Sequence, residues 1–272
     1  MQNETAIIPA GERTLKNRAS LQQTLRDTWT MAIRNLRKMR RTPEQFADVA
    51  IQPILFPVMF GYIFGGAISG NVSAYLPQLI PGILAMSIIT TSQVTGTQLR
   101  EDMDKGVFNR FKSLPIARIA PLAGALLADT TRYFIVTVLT FITGLCMGYR
   151  PHGGFAGVAA GSLLTILVAW CLSWVFAFIG VIARSASSVQ AIAMLFIFPL
   201  SFLSNAFVPI NSLPGWMQAF VKVNPMSHLV SAVRDLANHG MIAGDFWYCL
   251  LGAAIIVIVF APLTVRAYMR KA

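Results

Sequence analysis

Apolar residues run in six long blocks along this 272-residue chain, at about 49–68, 78–99, 121–147, 157–182, 189–208 and 245–265. A hydrocarbon core about 30 Å thick is crossed by roughly 20 apolar residues rising about 1.5 Å each, so every block predicts a transmembrane helix. Ahead of the first block the pattern changes. Leu25, Trp29, Ala32, Ile33, Leu36 and Met39 recur at steps of three and four, while Arg34, Arg37, Lys38, Arg40 and Arg41 occupy the remaining positions. This spacing predicts an amphipathic helix over 21–42 that lies in the membrane interface. Trp29, Ile33 and Leu36 would face the acyl chains, with Arg37 and Arg40 among the phosphates; a soluble helix packed on a partner is the competing reading. Thr42-Pro43 ends that helix, because the residue before a proline resists helical geometry. Residues 1–20 read as a flexible cytoplasmic tail and 43–272 as a single membrane domain. No strand-like alternation and no internal repeat stands out, so the fold class is an all-α polytopic membrane protein.

Charge orients the bundle. If the N-terminus is cytoplasmic, the inner segments 1–48, 100–118, 183–188 and 266–272 hold nine, five, one and three of the 22 lysines and arginines. Outside lie Arg150, Lys222 and Arg234 only, and Arg132 falls within a block. This asymmetry predicts both termini inside, with six crossings of the cytoplasmic membrane. The net charge of +11 is accounted for by orientation and by anionic headgroups, so no nucleic-acid partner is expected. The polar opening residues hold no short apolar core, and no cleavable signal is expected.

Several blocks carry internal features. The first has Pro53 and Pro57, and the spacings Gly61 to Gly65 and Gly66 to Gly70 permit close helix contact, including a dimer face. A short outer loop, 69–77, precedes the second block. That block is unusually polar, and its Thr91, Gln93 and Thr97 either pack between helices or line a substrate route. Phe198 and Phe202 in the fifth block, which Pro199 interrupts, are aromatic candidates for the same route. The third block contains Asp129 and Arg132, three residues apart on one helix face. Either the crossing starts near 119 and the pair lies deep, or it starts near 128, with 119–131 an interfacial elbow and Arg132 snorkelling to the inner headgroups. The second register is preferred, because an unpaired charge at the midplane costs about 2.5–3.5 kcal/mol.

Two connections carry structure of their own. In the inner loop 100–118, Val107, Phe108, Phe111 and Leu114 form an apolar stripe and Pro115 ends it. The stripe suits a groove on another protein or the membrane surface. The outer segment 209–244 has no uncharged run long enough to cross, and it reads as two short outer helices. Pro214 starts the one bearing Trp216. Asn224 caps the other, with Pro225 in its first turn and Gly240 at its exit.

Catalytic chemistry is missing from the sequence. It has no phosphate-binding Gly-x-x-x-x-Gly-Lys-Ser/Thr loop, no nucleophile elbow and no His-Glu-x-x-His helix. Cys146, Cys171 and Cys249 read as buried apolar residues, and His152, His228 and His239 as surface residues without metal spacing. No catalytic residue, cofactor or metal is expected in this chain, and any energy source must lie on a partner.

The ordered set Phe-Gly-Gly-Ala-Ile-Ser-Gly (64–70), Leu-Ile-Pro-Gly-Ile (79–83), Gly-Val-Phe-Asn-Arg-Phe-Lys-Ser-Leu-Pro-Ile-Ala-Arg (106–118), Ser-Asn-Ala-Phe-Val-Pro (204–209), Leu-Pro-Gly-Trp (213–216) and Asn-Pro-Met-Ser with Ala-Val-Arg (224–234) resembles the membrane subunit of type-2 ABC exporters, in particular the daunorubicin-resistance permease group. The resemblance covers nearly the whole chain from about residue 24. It implies an interfacial connecting helix, a cytoplasmic coupling helix, and two extracellular helices carrying Trp216, Asn224, Pro225 and Arg234. It places ATPase coupling on Lys105, Gly106, Val107, Phe108, Arg110 and Phe111. It also implies a homodimer or heterodimer of permease subunits bound to two separate ATPase subunits that hold Mg-ATP. The expected cargo is a hydrophobic or amphipathic drug-like compound. The alternative cargo is a lipid or lipid-linked glycan, and a non-transporting scaffold is the third reading.

Overall fold

The computed structural model describes residues 20–41, 43–107, 117 and 119–271. Its helices, in chain order, are α1 (Leu21–Arg41), α2 (Pro43–Ser69), α3 (Val72–Asp104), α4 (Ala120–Cys146), α5 (Gly154–Ile182), α6 (Ala186–Phe202), α7 (Gly215–Val223), α8 (Pro225–Arg234) and α9 (Gly244–Lys271). A 3-10 turn (Ile210–Ser212) precedes α7, and a π-helical turn (Asp235–His239) extends α8. Among the described residues five helices are long and apolar enough to cross a membrane: α2 from Val49, α3, α4, α5 and α9. The apolar helix α6 is shorter, at 17 residues.

α3 is the central post. It is buried along most of its length and packs against α2, α4, α5, α6 and α8, whereas α2 and α9 turn most of their apolar surface outward. Leu76, Leu79, Ile80, Ile83, Leu84 and Ile88 of α3 meet Tyr133, Val136, Leu164, Ala169 and Phe176 of α4 and α5 in the main core. A smaller cluster of Leu99, Leu122, Leu126, Ala177, Val181 and Tyr268 closes the end where α3 terminates. Between them the backbones of α3 and α5 touch. A Cβ at Gly96 would lie 2.2 Å from the Phe176 carbonyl oxygen, and one at Gly180 would lie 2.3 Å from that of Gly96. Only glycine permits that approach.

Two buried or half-buried hydroxyls of α3 are satisfied within the helix itself. Thr90 and Thr91 donate to the carbonyls of Met86 and Ser87, at 2.9 and 2.7 Å, as hydroxyls one turn on in a buried helix commonly do.

Three boundaries differ from expectation. The connection between α2 and α3 is not a loop over 69–77: helix resumes at Val72, where Asn71 accepts from the Ala74 N–H at 2.8 Å. α3 then runs through Pro77 and Pro81. Pro81 has no N–H for the Pro77 carbonyl, and Asn238 Nδ2 donates to it instead at 2.9 Å. The fifth apolar block does not stay helical to 208. α6 stops at Phe202, and residues 203–209 form an irregular segment whose Ser204, Asn205, Ala206 and Phe207 are buried. Irregular backbone at such depth requires partners within the protein. Finally, α4 is one continuous helix through 120–131, so that stretch is not an elbow.

Gly61 and Gly65 also take an intrachain role. A Cβ on them would meet Met147 Cε at 2.6 Å and Val72 Cα at 2.9 Å, while Gly66 has open space around it. The first of the two glycine spacings is therefore used within the chain, not for a dimer face.

Candidate transport and coupling site

The segment expected to couple to an ATPase begins where α3 ends. Lys105 caps the helix, its N–H bonded to the Glu101 carbonyl at 2.9 Å and its Nζ paired with Glu101 Oε2 at 3.3 Å. Gly106 follows at φ +67°, a left-handed conformation that favours glycine, and its N–H returns to Met103 O at 3.1 Å. Lys105 is exposed and Val107 is half-buried. Phe108, Arg110 and Phe111 lie outside the described residues.

Cations tie this end of the bundle together. Arg100 Nη1 donates to the Ala183 carbonyl at 2.8 Å, and Lys271 Nζ donates to the Val181 carbonyl at 2.6 Å. Both groups sit at the C-terminus of α5, where the helix dipole favours positive charge. Arg100 also pairs with Asp104, one turn along.

α1 lies against this end, and its apolar residues divide into two sets. Met31, Ala32 and Met39 are buried, and Gly124 of α4 comes so close that a Cβ there would lie 2.5 Å from Met31 Cβ. Leu25 and Trp29 are 71% and 61% exposed, and Ile33 and Leu36 are intermediate. The apolar stripe does not all face one way, because close packing on α4 claims the Met31–Ala32 edge. Asp27 Oδ2 accepts from the Ala117 N–H at 3.0 Å and Lys38 pairs with Asp102 at 3.3 Å, anchoring α1 at both ends. Arg37 is exposed, and the side chain of Arg40 lies outside the described residues.

Asp129 and Arg132 are buried to 2% and 4% exposure, so Arg132 does not snorkel to headgroups. The two form an ion pair, and the Thr95 hydroxyl of α3 donates to the other carboxylate oxygen. Neighbouring Tyr133 and Ser173 of α5 share a further hydrogen bond. The register error has a physical cause. Sequence compares a charge with lipid, whereas here the pair is buried with its carboxylate bonded to α3, and each charge has the other as partner.

The proposed route residues do not converge on one cavity. Thr91 and Gln93 are buried, with Gln93 Oε1 lacking a hydrogen-bond partner, and Thr97 is half-buried and directed to its own helix. Phe198 and Phe202 lie on the outer face of α6, 60% and 42% exposed, their rings 4.5 Å apart. A large cavity lies elsewhere in the bundle. An apolar groove of about 550 Å³ runs between α5, α6 and α9, with Phe178 and Ile182 towards one end and His228 and Tyr248 towards the other. His228 Nδ1 lies 2.6 Å from Asp245 Oδ1 at that second end.

The far end of the bundle holds a polar network that single-residue reading missed. Arg234 Nη2 donates to the carbonyls of Gln78 and Asn205, at 3.1 and 3.0 Å. Gln78 Nε2 donates to the same Asn205 carbonyl at 3.0 Å, and the Tyr75 hydroxyl donates to Phe207 O at 2.6 Å. Asn224 caps α8 through the Met226 N–H at 2.8 Å and donates to Leu200 O and Leu203 O at 2.8 and 2.7 Å. Tyr149 donates to Asn238 Oδ1 at 2.6 Å, and burial pushes its hydroxyl up to about 12. These donors are what the irregular 203–209 segment and the proline-interrupted start of α3 require. Arg234 is half-buried, and burial lowers its pKa to about 10, which leaves it charged at neutral pH. Trp216 stands apart, 69% exposed on α7, and Pro225 occupies the first turn of α8. The one visible signal for the network was the density of Asn, Gln and Tyr flanking the prolines.

Residues 26–237 match the family described as ABC-2 type transporter. The chain is 40% identical over 268 residues to the daunorubicin resistance ABC transporter permease protein DrrB1 of Streptomyces coeruleorubidus, covering 97% of this chain and 92% of that one. It is 29% identical over 201 residues to the probable doxorubicin resistance ABC transporter permease protein DrrC of Mycobacterium tuberculosis, covering 72% and 70%. A putative transport permease, ycf38, of Cyanophora paradoxa is 24% identical over 208 residues, covering 70% and 68%. With apolar helices of membrane-spanning length and similarity along nearly its entire length, the chain belongs to the ABC-2 type transporter family, as a transport permease homologous to the drug-resistance permeases.

Proposed function

We propose that this chain is the membrane subunit of an ATP-driven exporter that moves a hydrophobic or amphipathic, drug-like compound out across the cytoplasmic membrane. The observation that carries the reading is the near full-length similarity to a daunorubicin resistance permease. In this reading α2 to α6 and α9 make six crossings, an even number that puts both termini on the same side of the membrane, the inside. α6 supplies roughly 26 Å of rise, and the buried 203–209 segment completes its passage. The cations gathered where α1, the end of α3 and the end of α9 meet favour that end as cytoplasmic. Two permease copies and two separate ATPase subunits make the working unit. ATP would close the ATPase pair, and the segment from Lys105 through Phe111 would pass that motion into α3, the central helix. This is a two-state equilibrium biased by a ligand on another chain. The groove between α5, α6 and α9 has a volume suited to a drug-sized apolar compound.

Co-purification of the permease with its ATPase, followed by ATPase and efflux assays in reconstituted vesicles, tests the proposal. Compound-stimulated ATPase is expected, and Phe108→Asp with Phe111→Asp should abolish both stimulation and efflux. Intact coupling in that variant, or cysteine labelling that places Val107 and Lys271 on opposite sides of the membrane, defeats it. Stimulation by lipid or lipid-linked glycan in place of drug would reassign the cargo.

A further inference from the structure

At the end of the bundle carrying α7 and α8, a cavity of about 560 Å³ opens between the start of α3, the loop before α5 and the π-helical turn. Its polar lining is Ser69, Gln78, His152, Arg234, Asn238 and His239, and among the described residues no carboxylate lines it. Gln78 and Asn238 already spend their amide donors on the Asn205 and Pro77 carbonyls. Among the described residues Ser69, His152 and His239 make no side-chain hydrogen bond, so their donors are available to the cavity.

Arg234 is the unusual member. Its two hydrogen bonds both go from Nη2 to backbone carbonyls, and its Nε is buried with no partner. Carbonyl dipoles supply partial charge rather than a counter-ion. The adjacent Asp235 carboxylate acts on Arg234 through space only: it makes no contacting ion pair with the guanidinium and is not among the residues lining the cavity. The lowered pKa of Arg234 has desolvation as its largest cause, as expected of a guanidinium that has lost water without gaining a contacting opposite charge. Such a charge is best satisfied by an anion that also accepts several hydrogen bonds. The first turn of α3, which contributes Ala74 to the wall, adds the positive end of a 33-residue helix.

We propose that this cavity binds a phosphate group, from an anionic phospholipid headgroup or as free phosphate, with Arg234 as the charge partner and His152, His239 and Ser69 as flanking donors. A phosphate fits better than a carboxylate because its oxygens can meet a guanidinium and scattered donors at once. On the proposed topology the site lies at the outer membrane-surface end of the bundle, where headgroups are concentrated. It is far from the coupling end, since α3 alone separates the two by roughly 50 Å.

The purified full-length permease, titrated with phosphatidylglycerol and with phosphatidylcholine by native mass spectrometry, tests this without any ATPase or efflux readout. Inorganic phosphate measured calorimetrically forms the second arm. Arg234 also holds the 203–209 backbone, so the decisive variant is Ala74→Glu, with Ala74→Gln as the bulk control. The glutamate places a carboxylate in the cavity wall without touching the bonds of Arg234, and in a first helical turn it favours the helix. Saturable binding of phosphatidylglycerol over phosphatidylcholine is expected, about tenfold or more weaker in Ala74→Glu and little changed in Ala74→Gln. Binding confined to the lipid arm assigns a headgroup site, and saturable inorganic phosphate that competes with the lipid assigns a general phosphate site. Equal binding of the two lipids without a phosphate signal, no binding in either arm, or Ala74→Glu binding as tightly as the parent overturns the proposal.

Discussion

Substitution of the buried Asp129–Arg132 pair gives the sharpest test of how the bundle tolerates charge. Asp129→Leu leaves a guanidinium at 4% exposure with no carboxylate, and Arg132→Met leaves a carboxylate at 2% exposure with only the Thr95 hydroxyl. Removing one partner of a buried pair costs about 3–5 kcal/mol, because the remaining charge stays desolvated. The double variant removes both charges and substitutes apolar groups in an apolar bundle. Replacement of a whole buried pair is commonly neutral or better, so its cost should fall within about 1 kcal/mol of the parent. Thr95 then has the Thr91 carbonyl one turn back as an acceptor, as Thr90 and Thr91 already do in the same helix. The coupling energy across the cycle should therefore exceed about 3 kcal/mol. Reversible unfolding of the detergent-solubilised protein in SDS, followed by fluorescence of its five tryptophans, measures all four corners. Additive losses in the double variant, or single variants within about 0.5 kcal/mol of the parent, would refute the reasoning.

Gly180→Ala drives a Cβ to 2.3 Å from the Gly96 carbonyl oxygen, so α3 and α5 must separate; a loss of about 1–3 kcal/mol in the same unfolding assay is expected. Asn224→Ala removes the cap of α8 and two donors to the carbonyls that end α6. A loss of about 2–4 kcal/mol should appear, with proteolytic cleavage advancing first within 203–209. Gly106→Ala keeps open space around the new methyl but forces an alanine to φ +67°, costing about 1–2 kcal/mol at the end of α3 and increasing hydrogen exchange there. Trp29→Ala, at a side chain 61% exposed, should alter unfolding by less than about 0.5 kcal/mol while weakening the hold of a tryptophan-quenching lipid on α1.

Much of the architecture was legible because its signals are local. The Asn224-Pro225 pair reads as a helix start, and α8 begins there, with the Asn224 side chain on the Met226 N–H. Gly240 reads as an exit and closes the π-helical turn at φ +67°. The same local logic failed at Pro77 and Pro81. The sequence suggests a loop to 77, yet helix runs from Val72, because a side chain 161 residues away fills the missing bond at Pro77. It failed again at Phe202, where an apolar run continues but the helix does not: side chains of α3 and α8 compensate the irregular backbone that follows.

Hydrophobic run length and the placement of basic residues depend on nearest neighbours and on solvent, so the chain alone determined an all-helical membrane protein of this family, with α1 and the polar connection after α3 set apart from the apolar blocks. Which face of each helix meets protein rather than lipid depends on contacts between residues far apart in sequence. Only the folded bundle decided that Arg132 is paired inside, that Met31 and Ala32 lie on Gly124 while Trp29 points away, and that Arg234 is drawn into a buried network. A charge or an irregular backbone is costly in hydrocarbon and tolerable beside the right donor, and that donor is supplied by another helix.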